Sequence, residues 1–159
     1  MIGRWVARGA SGATTTDIEV AESEEAFSVK ARFVAPGYAQ MPQPRMLVFR
    51  AAPIRHLESP LLTEKTRKYP VELDLDALQE TVRVALPAGF KVDETPQPVH
   101  LTTPFGLYEA TWVAEPGTLV FRRKLEVQAR SVPVSDYAEL RKFLDAVTVS
   151  AEAPVVLVK

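Results

Sequence analysis

Residues with chemical potential are few in this chain, and they are scattered. Its two histidines are His56 and His100, and there is no cysteine. A Ser-His-Asp relay holds its histidine between a nucleophile and a carboxylate, and neither histidine stands in a recognisable nucleophile elbow. Both read as ordinary residues, His56 in an exposed loop and His100 on a strand. Two distant histidines without a thiolate also lack the close ligand spacing of known zinc motifs. Asp74, Asp76 and Glu80 form a carboxylate cluster in the sequence, but paired acids do general acid/base work only where they converge in space. Even spacing along a strand merely puts them on one solvated face, opposite Tyr69, Val71 and Leu73. Arg122-Arg123-Lys124 is the strongest basic run. Strand alternation turns Arg123 away from its two neighbours, so the run forms no single patch. The best binding candidate is aromatic. Tyr108 and Trp112 share one strand face with only Ala110 between them, a ledge able to stack a sugar ring or a partner's side chain, although such aromatics more often lie in a core. No catalytic residue, cofactor site or metal site is assigned.

These side chains are carried by a chain of ordinary globular composition. Its 159 residues, 47% apolar and 25% charged, fit a single domain that buries roughly two thirds of its unfolded surface. A net charge of −1 gives no field to draw nucleic acid or an anionic membrane. The longest apolar runs, such as Val155-Val156-Leu157-Val158, are far too short to span a bilayer. The opening Met1-Ile2-Gly3-Arg4-Trp5 has no apolar core of a secretory signal, and the lack of cysteine leaves the compartment open. Thirteen prolines against seven glycines cut the chain into short segments with fixed turns, which points to a mostly β domain.

Alternation then locates the elements. Thr14, Thr16, Ile18 and Val20 form one strand pattern. Phe27, Val29, Ala31 and Phe33 form the next, joined to it through Ser23-Glu24-Glu25. Met46-Leu47-Val48-Phe49 reads as a strand covered on both faces. Residues 51–68 are a long connection. Strands follow over Tyr69, Val71, Leu73 and Leu75, and over Thr81 to Leu86. Pro96 and Pro98 hold the chain extended between Phe90-Lys91-Val92 and Val99-His100-Leu101. Residues 107–128 form a long hairpin about the Glu115-Pro116-Gly117-Thr118 turn. Ser135 is the expected N-cap of one helix running to about Val147, with Tyr137, Leu140, Phe143, Leu144 and Val147 along one stripe. Val155 to Val158 close the chain as a strand. The expected fold is an antiparallel β-sandwich of roughly eight to ten strands with one C-terminal helix, about 135–147. Phe27, Val29, Phe33, Val71, Leu73, Val82, Val84, Leu119, Phe121, Leu125, Leu140 and Phe143 are the expected core.

The order of short motifs adds a resemblance. Tyr69-Pro70-Val71 follows Arg67-Lys68. Leu86-Pro87-Ala88-Gly89-Phe90 comes next with Val92 and Pro96, and then Phe105-Gly106-Leu107-Tyr108. Phe121-Arg122-Arg123, Val132-Pro133, Asp136-Tyr137 and Leu140-Arg141-Lys142-Phe143 precede the closing Val155-Val156-Leu157-Val158-Lys159. Together they resemble the C-terminal β-rich domain of unknown function that follows the transglutaminase-like domain in large bacterial envelope proteins. The resemblance covers 67–159 well and 1–66 loosely, so the latter are left open as a separate sheet or subdomain of the single domain 1–159. In that family the Cys-His-Asp set belongs to the preceding papain-like domain, so nothing catalytic carries over to a chain without cysteine. The resemblance implies a non-catalytic accessory domain whose partner is an adjacent catalytic domain, in the periplasm or envelope. It also implies that Met1 is not the native start. It names no cofactor and no ligand.

Overall fold

The computed structural model describes residues 12–24, 26–53, 64–74 and 77–159. Leu75, Asp76 and His56 lie outside that set. Among the described residues the chain is mainly β, in several antiparallel sheets with one C-terminal helix.

The largest sheet has four strands, in the order β5 (Ala77–Ala85), β9 (Thr118–Val127), β8 (Gly106–Glu115) and β7 (Val99–Thr103). Its centre is the hairpin expected from sequence. Gly117 takes φ +69° in the turn, a conformation that glycine adopts at no steric cost. The register then runs from Glu115↔Thr118 to Gly106↔Val127. Alternation aims Tyr108, Ala110 and Trp112 of β8 and Leu119, Phe121, Arg123 and Leu125 of β9 to one buried face. Slipping the register by one residue would turn that whole set to water. At Gly106 a Cβ atom would collide with the carbonyl oxygen of Glu126, so the base of the hairpin closes only around glycine.

A second sheet sets β11 (Pro154–Val158) between β3 (Met46–Arg50) and β6 (Lys91–Glu94), antiparallel to both. Phe49, Val155 and Leu157 from this sheet join the inner face of the first in one apolar core. Two short strands, β4 (Val71–Glu72) and β10 (Ser131–Val132), pair beside it. The helix, α1 (Tyr137–Glu152), contributes Tyr137, Leu140, Phe143, Leu144 and Val147 to the same core.

Several expectations are corrected. Ser135 does not cap the helix, because its hydroxyl donates to the Asp136 carboxylate at 2.8 Å. A 3-10 turn over Val134–Asp136 precedes the helix instead, with the Asp136 N–H bonded to the Pro133 carbonyl. The helix also runs past Val147 to Glu152, where Ala153 turns extended ahead of Pro154. A residue before proline is disfavoured in the helical region, and this sets the stop.

The strand expected over Tyr69, Val71, Leu73 and Leu75 is, among the described residues, only the two residues of β4, with Tyr69 exposed. The N-terminal hairpin does form, as β1 (Thr14–Glu22) and β2 (Phe27–Val34). Its apolar face is nonetheless not core, since Phe27 is 58% exposed and Val29 and Phe33 are only half-buried. Alternation shows that a strand has one apolar face, and it does not show that a second layer covers it. Leu73, Val82 and Val84 are likewise half-buried, the last two because β5 is an edge strand. Val71, Leu119, Phe121, Leu125, Leu140 and Phe143 are buried as expected.

Candidate functional site

Tyr108 and Trp112 do share a face of β8 with Ala110 between them, and that face is the inner one. Tyr108 is 0% exposed and Trp112 8%. The Trp112 ring lies 5.2 Å from that of Phe121, tilted by 38°, a tilted aromatic pair that belongs to a packed interior. The Tyr108 hydroxyl donates to Ser150 Oγ on α1 at 3.1 Å, tying the sheet to the last turn of the helix. Neither ring has a face to offer an external sugar. Tyr108→Phe should lower stability by about 0.5–1.5 kcal/mol in urea unfolding, because Ser150 loses its buried partner. Adding Ser150→Ala should recover part of that loss, since removing both members leaves nothing unpaired.

The same inner face holds a charge pair that strand patterning concealed. Arg123 Nε lies 2.7 Å from Glu80 Oε2, and the two residues stand directly opposite in the β5–β9 register. Arg123 is 5% exposed, and its guanidinium sits 5.9 Å from the Phe121 ring centroid. Burial pushes the Glu80 carboxyl above its ordinary value, and the charge and hydrogen bond of Arg123 only partly pull it back. Glu80 is therefore not on a solvated face with Asp74, which is exposed, and Asp76 lies outside the described residues. The spacing argument fails because β4 and β5 belong to different sheets, so the strand phase resets between residues 72 and 77. A usable signal was present: Glu80 falls in the apolar phase of Leu78, Val82 and Val84, and Arg123 in that of Phe121 and Leu125.

On the outer face, His100 Nδ1 approaches Glu109 Oε1 at 2.8 Å across the β7–β8 pair. The Thr102 hydroxyl stands 3.5 Å from His100 Nε2. Hydroxyl, imidazole and carboxylate thus follow the order of a catalytic relay, but the setting does not support one. The imidazole is 67% exposed on an open sheet face, and the hydroxyl contact is at the limit of a hydrogen bond. The row continues through Lys124, paired with Glu126 at 2.7 Å. Their hydrogen bond raises the Lys124 pKa and lowers that of Glu126. Exposed pairs of this kind contribute little to stability. Arg122 is exposed beside them and Arg123 points inward, so the basic run is split as alternation requires.

Among the described residues, no group of three or more His, Asp or Glu side chains could hold a metal ion, and no helix is long and apolar enough to cross a membrane. One open groove of about 380 Å³ lies between the end of β7 and α1, floored by Leu101, Phe105, Phe143 and Ala146.

A family described as a domain of unknown function with a solved structure, DUF3858, matches residues 45–157. The match takes in every element from β3 onward and leaves out the β1–β2 hairpin. Among solved structures, the chain is similar to a putative protease from Parabacteroides distasonis ATCC 8503, with a TM-score of 0.58 and 16% sequence identity. That likeness covers 72% of this chain and 23% of the other, so the chain spans under a quarter of that protein's length. At such low identity it shows a shared fold. No curated protein matches the chain.

Proposed function

Because the chain belongs to the DUF3858 family of domains of unknown function, we propose that it is a non-catalytic accessory domain that positions a transglutaminase-like, papain-like neighbour outside the cytoplasm. The observation that carries this reading is the disposition of its reactive side chains. Tyr108 is tied to Ser150 and Arg123 to Glu80 on the inner face of the sheet, while His100 and Glu109 lie on a flat, wet face. Acyl-transfer chemistry needs a nucleophile, a base and oxyanion donors gathered away from bulk water. The likeness to part of a much longer chain supports the role of a module, and the motif order described above supports the identity of the neighbour.

The chain 1–159, assayed alone for amide hydrolysis and transamidation, should show no turnover. Turnover that disappears in His100→Ala would overturn the reading. An upstream papain-like domain in the full reading frame would support it. The rival reading, glycan binding at Tyr108 and Trp112, predicts a change in tryptophan fluorescence on adding peptidoglycan fragments; with both rings enclosed, no change is expected.

A further inference from the structure

We propose that the β1–β2 hairpin is a docking arm whose apolar face packs on the catalytic neighbour of the accessory reading, against an apolar patch edged by lysine or arginine. The inference rests on that reading and deepens it, by naming the surface through which the two domains meet. The hairpin stands apart from the rest of the chain. Among the described residues β1 and β2 pair only with each other, and none of their side chains belongs to the apolar core or packs against it. The family match begins at residue 45, after the hairpin. A two-stranded hairpin by itself is marginally stable at best in water, so this one needs a cover that the family fold does not supply.

Its two faces differ in chemistry. On one, Lys30 pairs with Glu19 at 3.3 Å and Arg32 with Asp17 at 3.5 Å, which occupies both cations of the hairpin. Asp17 takes φ +51° in the irregularity between Thr16 and Glu19. That bulge leaves Ile18 in phase with Val20 on the other face, where Phe27, Val29 and Phe33 also lie. Ile18 is 48% exposed and Val20 54%, and Phe27 is more exposed than either. Toward the tip this strip ends at Glu22, opposite Phe27, with Glu24 just beyond, and neither acid is ion-paired with another described residue. An apolar strip ending in negative charge fits a protein surface with basic groups at that end. It does not fit an anionic lipid surface, which attracts basic segments.

Area then selects an occupant on the same polypeptide. The strands have nine and eight residues. At a rise of about 3.4 Å per residue and a spacing of about 4.8 Å they present a face of roughly 30 by 10 Å. Covering it buries on the order of 600 Å², counting both partners. Stable complexes of separate proteins bury about 1,200–2,000 Å², so this face alone holds neither a second copy nor a free protein. Interfaces between domains of one chain begin near about 600 Å², because the covalent link keeps the partner at a high effective concentration. The attachment of the arm agrees with this. Only Ala35-Pro36-Gly37 separates β2 from Tyr38, which packs on the core and donates its hydroxyl to the Arg50 carbonyl at 2.7 Å. So short a link confines the arm to surfaces close beside the body of the chain.

Hydrogen exchange in the full-length protein, compared with the chain 1–159, tests the docking. Hairpin amides should exchange at least about ten-fold more slowly in the full-length protein. Phe27→Asp should return them to the rates of the chain 1–159, while Ser28→Asp, on the ion-paired face, should keep the protection. In the chain 1–159 itself, Phe27→Asp should leave the urea midpoint unchanged, because the hairpin lies outside the core. Should Phe27→Asp misfold in the full-length protein, Glu22→Lys keeps the test, since it repels the basic edge and should cut the protection about three-fold. The proposal is overturned if the hairpin amides exchange equally fast in a full-length protein that carries a papain-like domain, or if Phe27→Asp keeps the protection. Either result leaves the accessory role standing. A full-length protein without such a domain overturns both readings. Protection in the chain 1–159 that rises with its concentration assigns the face to a second copy, and also overturns the proposal.

Discussion

Replacing Phe143 by alanine should cost about 3–5 kcal/mol of folding free energy, among the largest losses any single truncation in this chain would produce. Phe143 is 4% exposed at the centre of the stripe through which α1 enters the core. Its removal costs the transfer energy of the ring and also leaves a cavity. That cavity is slow to collapse, because α1 is held at both ends. At one end Tyr137 donates its hydroxyl to the Glu64 carbonyl at 2.7 Å, and at the other Ser150 accepts from Tyr108. Urea unfolding of the variant against the parent measures the loss. Val149→Ala on the exposed side of the same helix is the control, with an expected change within about 0.5 kcal/mol. If Phe143→Ala costs less than about 1 kcal/mol, the helix does not close a core, and the layered arrangement is wrong at its centre.

What the sequence made legible follows the range over which each signal acts. The β8–β9 hairpin and the α1 stripe rest on local patterns, a Pro-Gly turn and a 3.6-residue period, and both are where alternation put them. The pairing of β11 with β3 joins Val155 to Phe49 across most of the chain, and no local pattern encodes that partner. Sidedness was legible and coverage was not. Tyr108 and Trp112 share a face as expected, yet whether that face meets water depends on α1 and the second sheet. The same gap explains Phe27, whose strand forms as expected without lying in the core. For the charged residues, the register decides who meets whom. His100 faces Glu109 only because the chain turns at Pro104-Phe105, and Glu80 meets Arg123 only because β5 starts a new phase at Ala77.

Arg123→Met should be as damaging as the Phe143 truncation at neutral pH, about 3–5 kcal/mol, for a different reason. It leaves the Glu80 carboxylate enclosed on the inner face without the guanidinium at 2.7 Å. The pH dependence separates this cause from lost packing on Phe121. In the parent protein, burial already outweighs Arg123, so the folded Glu80 carboxyl takes up a proton at higher pH than the unfolded one does. A carboxyl raised in this way contributes most below its unfolded pKa, and that contribution is lost as pH rises through the folded value. Removing Arg123 removes the influence that lowers the pKa, which climbs further and widens the window. The deficit of Arg123→Met relative to the parent should therefore be largest near about pH 7 and shrink toward about pH 4, as protonation of Glu80 removes the enclosed unpaired charge. The double variant Glu80→Leu with Arg123→Met should be far more stable than Arg123→Met alone at neutral pH, since apolar replacements of buried ion pairs are often neutral or stabilising. A deficit that is the same at both pH values, and that Glu80→Leu does not relieve, would assign the role of Arg123 to its packing against Phe121 rather than to its charge.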